Sequence, residues 1–506
     1  MVFSSITFLF YFLPLVLLTY FLVPRSMRNT LLLLFSLIFY AWGEPKYIVL
    51  MLFSIFINWI LAIGIDKGRQ KNLALIGNDE SRAFRSDKMF LILAIVVNIL
   101  LLGIFKYADF IIYNINSLTF IPFKFESLNL ALPIGISFYT FQIMSYVIDL
   151  YRGEVKLEKN IINLACYVTM FPQLIAGPIV RFKTISDELR SREESFYDIE
   201  RGIERFIIGL AKKAILANMA GEIWKSINSY PIANLTSPLA WYGIFAFAFQ
   251  IYFDFSAYSD MAIGLGLIFG FHFEENFNYP YIATSVTDFW RRWHISLSTW
   301  FKQYVYIPLG GNRCSLLRQA LNLFIVWCLT GIWHGAAWNF LLWGAYFAII
   351  LILEKFILLF VLQKLPRFIA RIYTLFIVLV SWAIFAQDNF ARLKDYLKVM
   401  FSLSPLHRVG TYAAGVSGKI ATVRDSSHDI LYFMASNAVL FIILILASTP
   451  IMKKAWDFLT RVDISMQKKE MRSKILLRNI LLLVLFVFSV ASLVSSSYNP
   501  FLYFRF

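Results

Sequence analysis

The sequence predicts an all-α polytopic membrane fold, and three observations carry the prediction. Of 506 residues, 59% are hydrophobic and 15% are charged, against about 25% charge in an ordinary soluble domain. Apolar runs approaching or exceeding the ~20 residues that cross a hydrocarbon core recur along the chain. The basic residues behind the net charge of +16 gather in loops beside those runs, where anionic lipid and topological bias account for them without a nucleic-acid partner.

Taken in order, the first run, 2–23, has no cationic segment before it and Arg25 and Arg28 after it. It reads as a retained span with its N-terminus outside, not a cleaved leader. Runs 30–43, 47–64 and 89–106 follow. The basic loop Asp66 to Lys88 is expected in the cytoplasm, as is Lys453 to Lys474. Runs 131–150 and 161–178 are interrupted by Pro133, Gly135, Pro172, Gly177 and Pro178. Irregular backbone at membrane depth needs protein or a wet cavity to cover it, so these are expected to be cavity walls. The stretch 206–219 is expected to dip in and return, which the inside/outside parity requires. Run 237–271 contains Asp254 and Asp260, about 240° apart on a helix, which suits structural hydrogen bonds better than a paired acid/base site. Runs 319–336, 338–361, 368–386, 430–449 and 475–495 complete one integral domain, 1–506, with an outer loop at 388–429 and the C-terminus outside.

Segment 272–318 is too polar to span and too aromatic to float free. At 100° per residue, Trp290, Trp293, Leu297, Phe301 and Tyr304 form one stripe, and Arg292, Ser296, Thr299 and Gln303 fall opposite. The prediction is one amphipathic helix at the membrane interface. His294 lies at the edge of its aromatic stripe, beside Arg291, Ser298 and Lys302.

His334 sits in "CLTGIWHGAAWNFLLWG", with no charged side chain between Arg318 and Glu354. Gly331 and Gly335 bracket it as a pair that lets another helix approach, and Trp327, Trp333, Trp338 and Trp343 are expected to surround it with rings. An ionisable ring at depth is functional by default; the competing reading is a neutral histidine held by a hydrogen bond, helped by Thr330. Phosphate-loop, zincin and hydrolase-elbow patterns are missing. No third ligand is spaced with His294 and His334, so no metal site is expected. His272, His407 and His428 lie at the end of a span or in polar segments, and Cys166, Cys314 and Cys328 form no paired framework.

The stretches "LIAGPIVRF", "DFSAYSDMAIGLG", "ENFNYPYIATSVTDFWRRWHISLSTWFKQYVYIPLGGNR", "LTGIWHGAAWNFLLWG" and "NPFLYFRF" together resemble the membrane-bound O-acyltransferase superfamily, in its bacterial alginate and peptidoglycan O-acetyltransferase branch. The resemblance covers most of the chain. It implies a multi-helix bundle with re-entrant and amphipathic helices around a central tunnel. It also implies that His334 of the WHG motif is catalytic with His294 as its partner, and that acetyl-CoA or another acyl thioester is the donor substrate, with no permanently bound cofactor. The implied acceptor is an extracytoplasmic polysaccharide, reached through a separate extracytoplasmic acetyl-transferring protein, and the implied location is the bacterial inner membrane. Arg291, Trp293, Ser298, Lys302, Trp333 and Asn339 are the expected substrate- and tunnel-binding residues. Ser426 and His428 in "RDSSHD" are too close in sequence to count as a nucleophile pair. Two alternatives stand beside this reading: a D-alanyl transferase acting on teichoic acid, against which the segment Leu431 to Phe506 counts, and a transporter, which should show paired half-repeats.

Overall fold

The computed structural model describes residues 1–75, 86–120, 122–175, 177–402, 427–461, 468–496, 498–500 and 502. Among them every regular element is helical. The chain opens with α1 (Leu13–Leu22), extended backwards by a π turn over Phe8–Phe12, then α2 (Arg28–Ala41), α3 (Ile48–Leu75) and α4 (Ser86–Asn116). After an extended stretch, α5 (Ile136–Arg152) starts behind Gly135, whose φ of 75° is in the left-handed region that favours glycine.

Among the described residues six helices are long and apolar enough to cross a membrane: Ile48–Lys71, Ser86–Asn116, Leu316–His334, Trp338–Leu362, Arg367–Ala386 and Glu470–Ser495. The pair Asp429–Ser436 and Ala438–Ala447, bent by 60°, makes a seventh if counted as one span. The run at 131–150, which the sequence marks as apolar, is instead buried in protein. In α5, 14 of 17 residues are buried.

The expected span 161–178 is two short helices, α6 (Ile161–Thr169) and α7 (Phe171–Leu174). Pro172 sits in the first turn of α7, where its missing N–H breaks no helical hydrogen bond, whereas inside a continuous helix it would. After α8 (Phe182–Arg190), the expected dip and return at 206–219 is likewise not observed. Helix α9 (Phe196–Ala211), a π turn over Lys212–Ala217 and α10 (Asn218–Asn228) form one unbroken helical run.

The α9–α10 run packs antiparallel on α11 (Ser237–Ile268). Gly202 and Gly209 make the approach possible: a Cβ on Gly202 would stand 2.6 Å from the Gly264 carbonyl oxygen, and one on Gly209 2.8 Å from that of Ala257. The two carboxylates of α11 both turn to this partner. Asp260 pairs with Arg205 at 2.9 Å and Lys212 at 2.7 Å, and Asp254 pairs with Lys213 at 2.6 Å. Both are structural ion pairs, as their spacing suggests. Asp254 also accepts the Leu502 N–H at 2.8 Å, and Lys213 donates to the Pro500 carbonyl. Asn499 donates to the Ser4 carbonyl at 2.9 Å, tying the last described segment to the first.

The amphipathic segment departs most from expectation. It is two helices, α12 (Val286–Arg292) and α13 (Ile295–Phe301), followed by a π turn over Lys302–Tyr306. Trp290, Trp293, Leu297, Trp300 and Phe301 are all buried, so the aromatic side of the segment packs into the bundle and not into lipid. Helix α14 (Leu316–His334) and α15 (Trp338–Leu353) then form a hairpin. The chain continues through α16 (Leu359–Leu362), α17 (Arg367–Ala386), α18 (Phe390–Met400), α19 (Ser427–Ser436), α20 (Ala438–Ala447), α21 (Pro450–Thr460) and α22 (Lys468–Ser495). Helix α18 occupies the start of the expected outer loop, while His407, Ser426 and the side chain of His428 lie outside the described residues.

Candidate active site

His334 is the last residue of α14, and α15 starts four residues later. The hairpin is tight because two glycines face each other: a Cβ on Gly331 would meet the Phe340 carbonyl and come within 3.2 Å of the Gly344 Cα. The close approach expected of Gly331 is therefore made by the next helix in sequence. The Thr330 hydroxyl donates to the Val326 carbonyl at 2.8 Å and is spent there, so it does not serve His334.

The His334 ring packs edge-to-face against Trp333 (4.9 Å between centroids), Trp343 (5.0 Å) and Phe385 (5.3 Å). Trp327 lies one shell out, against Trp290 and Trp343. Trp338 turns away: it is 53% exposed and donates its indole N–H to Asn114. Phe385, from α17, takes the place expected of it. His334 is buried, and its Nδ1 has no hydrogen-bond partner among the described residues. The competing picture of a histidine held structurally by a hydrogen bond at that nitrogen is thus not what the geometry contains.

One wall of the His334 environment is open. A partly open cavity, about 470 Å³ including its mouth, is lined by His334, Trp333, Lys106, Pro133, Gly135 and Ile175 among others. The first interrupted stretch does form cavity wall, with Pro133 and Gly135 on the lining, whereas the second reaches it only through Ile175 and not through Pro172, Gly177 or Pro178. Backbone there is irregular because it faces a hollow.

His294 lies between α12 and α13, at φ 45° and ψ 56°. Left-handed backbone is uncommon for a side chain other than glycine, and holding it costs on the order of 1–3 kcal/mol, the kind of strain that collects at functional sites. The surroundings enforce it. The Trp293 N–H ends α12 on the Phe289 carbonyl, and the next two residues bond to Asn276: Ile295 N–H to its carbonyl at 3.0 Å, Ser296 N–H to its Oδ1 at 3.2 Å. The same Oδ1 stands 3.1 Å from His294 Nδ1 and accepts the Ser296 hydroxyl at 2.9 Å. Asn276 is in turn fixed by donating to the Ser259 hydroxyl at 3.1 Å. A carbonyl oxygen opposite Nδ1 selects the tautomer with the proton on Nδ1 and the lone pair on Nε2.

The two histidines share a neighbour. Trp333 lies 4.9 Å from His334 and 6.0 Å from His294 between ring centroids. Trp293 packs between Phe277 (5.1 Å) and Trp382 (5.0 Å), as wall and not as surface. Ser298 donates to the Trp290 carbonyl at 3.3 Å. Asn339 is buried, donates to the Phe385 carbonyl at 3.4 Å and keeps an unpartnered Oδ1 among the described residues. Arg291 and Lys302 are exposed, so the cationic flank expected against His294 is not in contact with it. The helix break at Trp293–His294 is the reason, since it turns the ring inward while the cations stay outside.

Three contributors were not singled out from sequence. Asn276 lies within the quoted "ENFNYPY" but has no spacing to mark it. Glu354, fully buried, accepts the Val286 N–H (2.7 Å), the Thr287 N–H (2.8 Å) and the Thr287 hydroxyl (2.6 Å), capping the start of α12 from the end of α15. Its signal was a lone carboxylate closing a long uncharged run. Lys106 read as the end of an apolar run, yet it lies ten residues inside the C-terminal end of α4.

Comparison with known proteins is consistent with this geometry. A family model described as MBOAT, membrane-bound O-acyltransferase family, matches residues 158–391. A protein of Azotobacter vinelandii named as an alginate O-acetylase is 42% identical over 77% of this chain and 76% of its own length. One so named from Pseudomonas putida is 38% identical over the whole of both chains. A peptidoglycan O-acetyltransferase of Helicobacter pylori is 34% identical over 80% of each.

Proposed function

Because this chain belongs to the membrane-bound O-acyltransferase family, we propose that it takes an acetyl group from acetyl-CoA on the cytoplasmic face and passes it through the bundle for O-acetylation of an extracytoplasmic polysaccharide. That it is an O-acyltransferase, and a multi-pass membrane protein, follows from the family and the apolar helices. The carrying observation for the proposal is the His334 imidazole on the wall of a cavity, with a buried and unpartnered Nδ1.

A neutral imidazole has a lone pair that can take the proton of an attacking hydroxyl, and such a base contributes typically about 10² to 10⁴ in rate. His334 is assigned that role. His294, whose Nδ1 faces the Asn276 amide oxygen at 3.1 Å, orients or polarises the reacting groups from the far side of Trp333. The exposed cations Arg291 and Lys302 suit the phosphates of a coenzyme A that approaches from the surface.

The position of the cavity supports an outward delivery. Lys106 stands 20 residues beyond Ser86, about 30 Å along α4 at 1.5 Å per residue. The cavity is therefore toward the end of α4 remote from the basic loop 66–88, which the positive-inside rule assigns to the cytoplasm. A polymer is too bulky to enter it, so a separate extracytoplasmic protein is assigned the last transfer, in the inner membrane of a bacterium. The acceptor polymer is alginate-like or peptidoglycan, following the names of the relatives.

The test is proteoliposomes loaded with radiolabelled acetyl-CoA. The wild-type chain alone should consume acetyl-CoA, His334→Ala should not, and label should reach polymer only when an extracytoplasmic protein fraction is added. Turnover that survives in His334→Ala, or efficient polymer acetylation by the single chain, would contradict the proposal.

A further inference from the structure

Lys106 shares the His334 cavity, and the geometry points to a second catalytic residue in it: we propose that the Lys106 ammonium stabilises the oxyanion formed when the acyl carbonyl is attacked. The inference rests on the acyl-transfer reading above. Lys106 is buried at 9% exposure on a membrane-spanning helix. Among the described residues no carboxylate lies within ion-pair distance of it, in contrast to Lys213, which holds Asp254. A buried ammonium without an anion is costly, and such residues inside membrane spans are functional by default.

An ammonium has three donors. One goes to the Trp333 carbonyl and one to the Ser137 hydroxyl at 3.2 Å, and the Trp333 ring lies 5.8 Å away. The third has no acceptor among the described residues, and Nζ belongs to a side chain that lines the same cavity as the His334 ring. The contact with Trp333 has a structural side: with the Tyr107 hydroxyl on the Ile332 carbonyl at 2.8 Å, it caps the C-terminal end of α14. A cap alone requires one donor per carbonyl. It does not require a cation, nor a hollow beside it.

In the step itself, the attacking hydroxyl oxygen forms a bond to the acyl carbon while its proton passes to the His334 imidazole. The carbonyl π pair moves onto oxygen, and that oxyanion accepts the free Lys106 N–H. Collapse re-forms the carbonyl, breaks the carbon–sulfur bond, and the thiolate leaves with the proton returned by the imidazolium. The anion that Lys106 lacks in the resting protein is the one this intermediate supplies. Losing one such donor typically costs about 10² to 10³ in kcat.

Lys106→Gln keeps an N–H for the Trp333 carbonyl and removes the charge; Lys106→Met removes both. With acetyl-CoA turnover as readout, both should lower kcat about 10²-fold or more with donor KM within about threefold of wild type. Two non-reactive coenzyme A analogues separate chemistry from scaffolding: an S-acetonyl analogue, a neutral ketone, and a methylphosphonate analogue, a tetrahedral anion. Lys106→Gln should bind the ketone as wild type does and lose tenfold or more for the anion. Near-normal kcat in Lys106→Gln, or equal weakening of both analogues, overturns the assignment and leaves Lys106 a helix cap. Should neither variant assemble, the wild type decides alone, since it must bind the anion at least tenfold more tightly than the ketone. If the wild type turns over no acetyl-CoA while a different thioester is consumed, the acetyl reading fails and the Lys106 assignment is read on that thioester.

Discussion

Asn276 and His294 are 18 residues apart in sequence, and the amide oxygen of the first stands 3.1 Å from the Nδ1 of the second. The same oxygen accepts both the N–H and the hydroxyl of Ser296, so one side chain fixes the tautomer, the ring plane and the start of α13. Replacing Asn276 with Ala should leave a folded protein whose acyl transfer falls about 10²-fold, the scale of a misplaced reacting group. Donor turnover of the purified variant, beside its elution profile in detergent, checks this; unchanged turnover would remove His294 orientation from the mechanism.

His334→Ala should insert and fold, because the ring faces a hollow on one side and its Nδ1 makes no bond to lose. Transfer should fall by at least about 10², the low end of a general base's contribution. A fully active, correctly assembled His334→Ala protein would falsify the assignment of the base.

Glu354 predicts a stability effect at a distance. Its carboxylate accepts three donors at the start of α12, and hydrogen bonds to a charged group are worth about 1.5–3 kcal/mol each. Glu354→Ala should lower the melting temperature markedly, and Glu354→Gln less so because its one oxygen can still accept. Thermal unfolding in detergent reads the difference; equal melting for all three proteins would mean that α12 is held by packing alone.

Gly331 and Trp338 are close in sequence and opposite in expected tolerance. A methyl group on Gly331 has no room between Phe340 and Gly344, and overpacking of this kind costs typically about 1–3 kcal/mol. Trp338 is 53% exposed, so Trp338→Ala should lose little transfer activity. Protein yield and turnover measured for both should show Gly331→Ala as the damaged one.

Orientation is checked by labelling intact cells with a membrane-impermeant thiol reagent. A cysteine at Lys71 should be protected and one introduced at Asn129 should be modified. The reverse pattern would reverse the membrane sidedness and the direction of transfer with it.

Much of this was legible in the chain. Hydrophobic runs mark helices because the bilayer demands them, and the motifs around His294 and His334 carry the family. What periodicity could not convey is which apolar runs are covered by protein: α5 and α11 look as membrane-grade as α4 yet are buried among other helices. A projection at 100° per residue assumes an unbroken helix, so it placed His294 on a stripe beside Arg291 and Lys302. The single left-handed residue at His294 ends α12, and nothing in residue type announces it. Asn276, Glu354 and Lys106 act across 18, 67 and 68, and 227 residues of sequence respectively, distances at which spacing is silent.

The clasp between Asn499 and Ser4 spans 495 residues, which gives assembly a schedule. Residues 4 and 499 can meet only once every helix between them has been made, so this contact and the Leu502–Asp254 bond close after the more local packing of α9–α10 on α11.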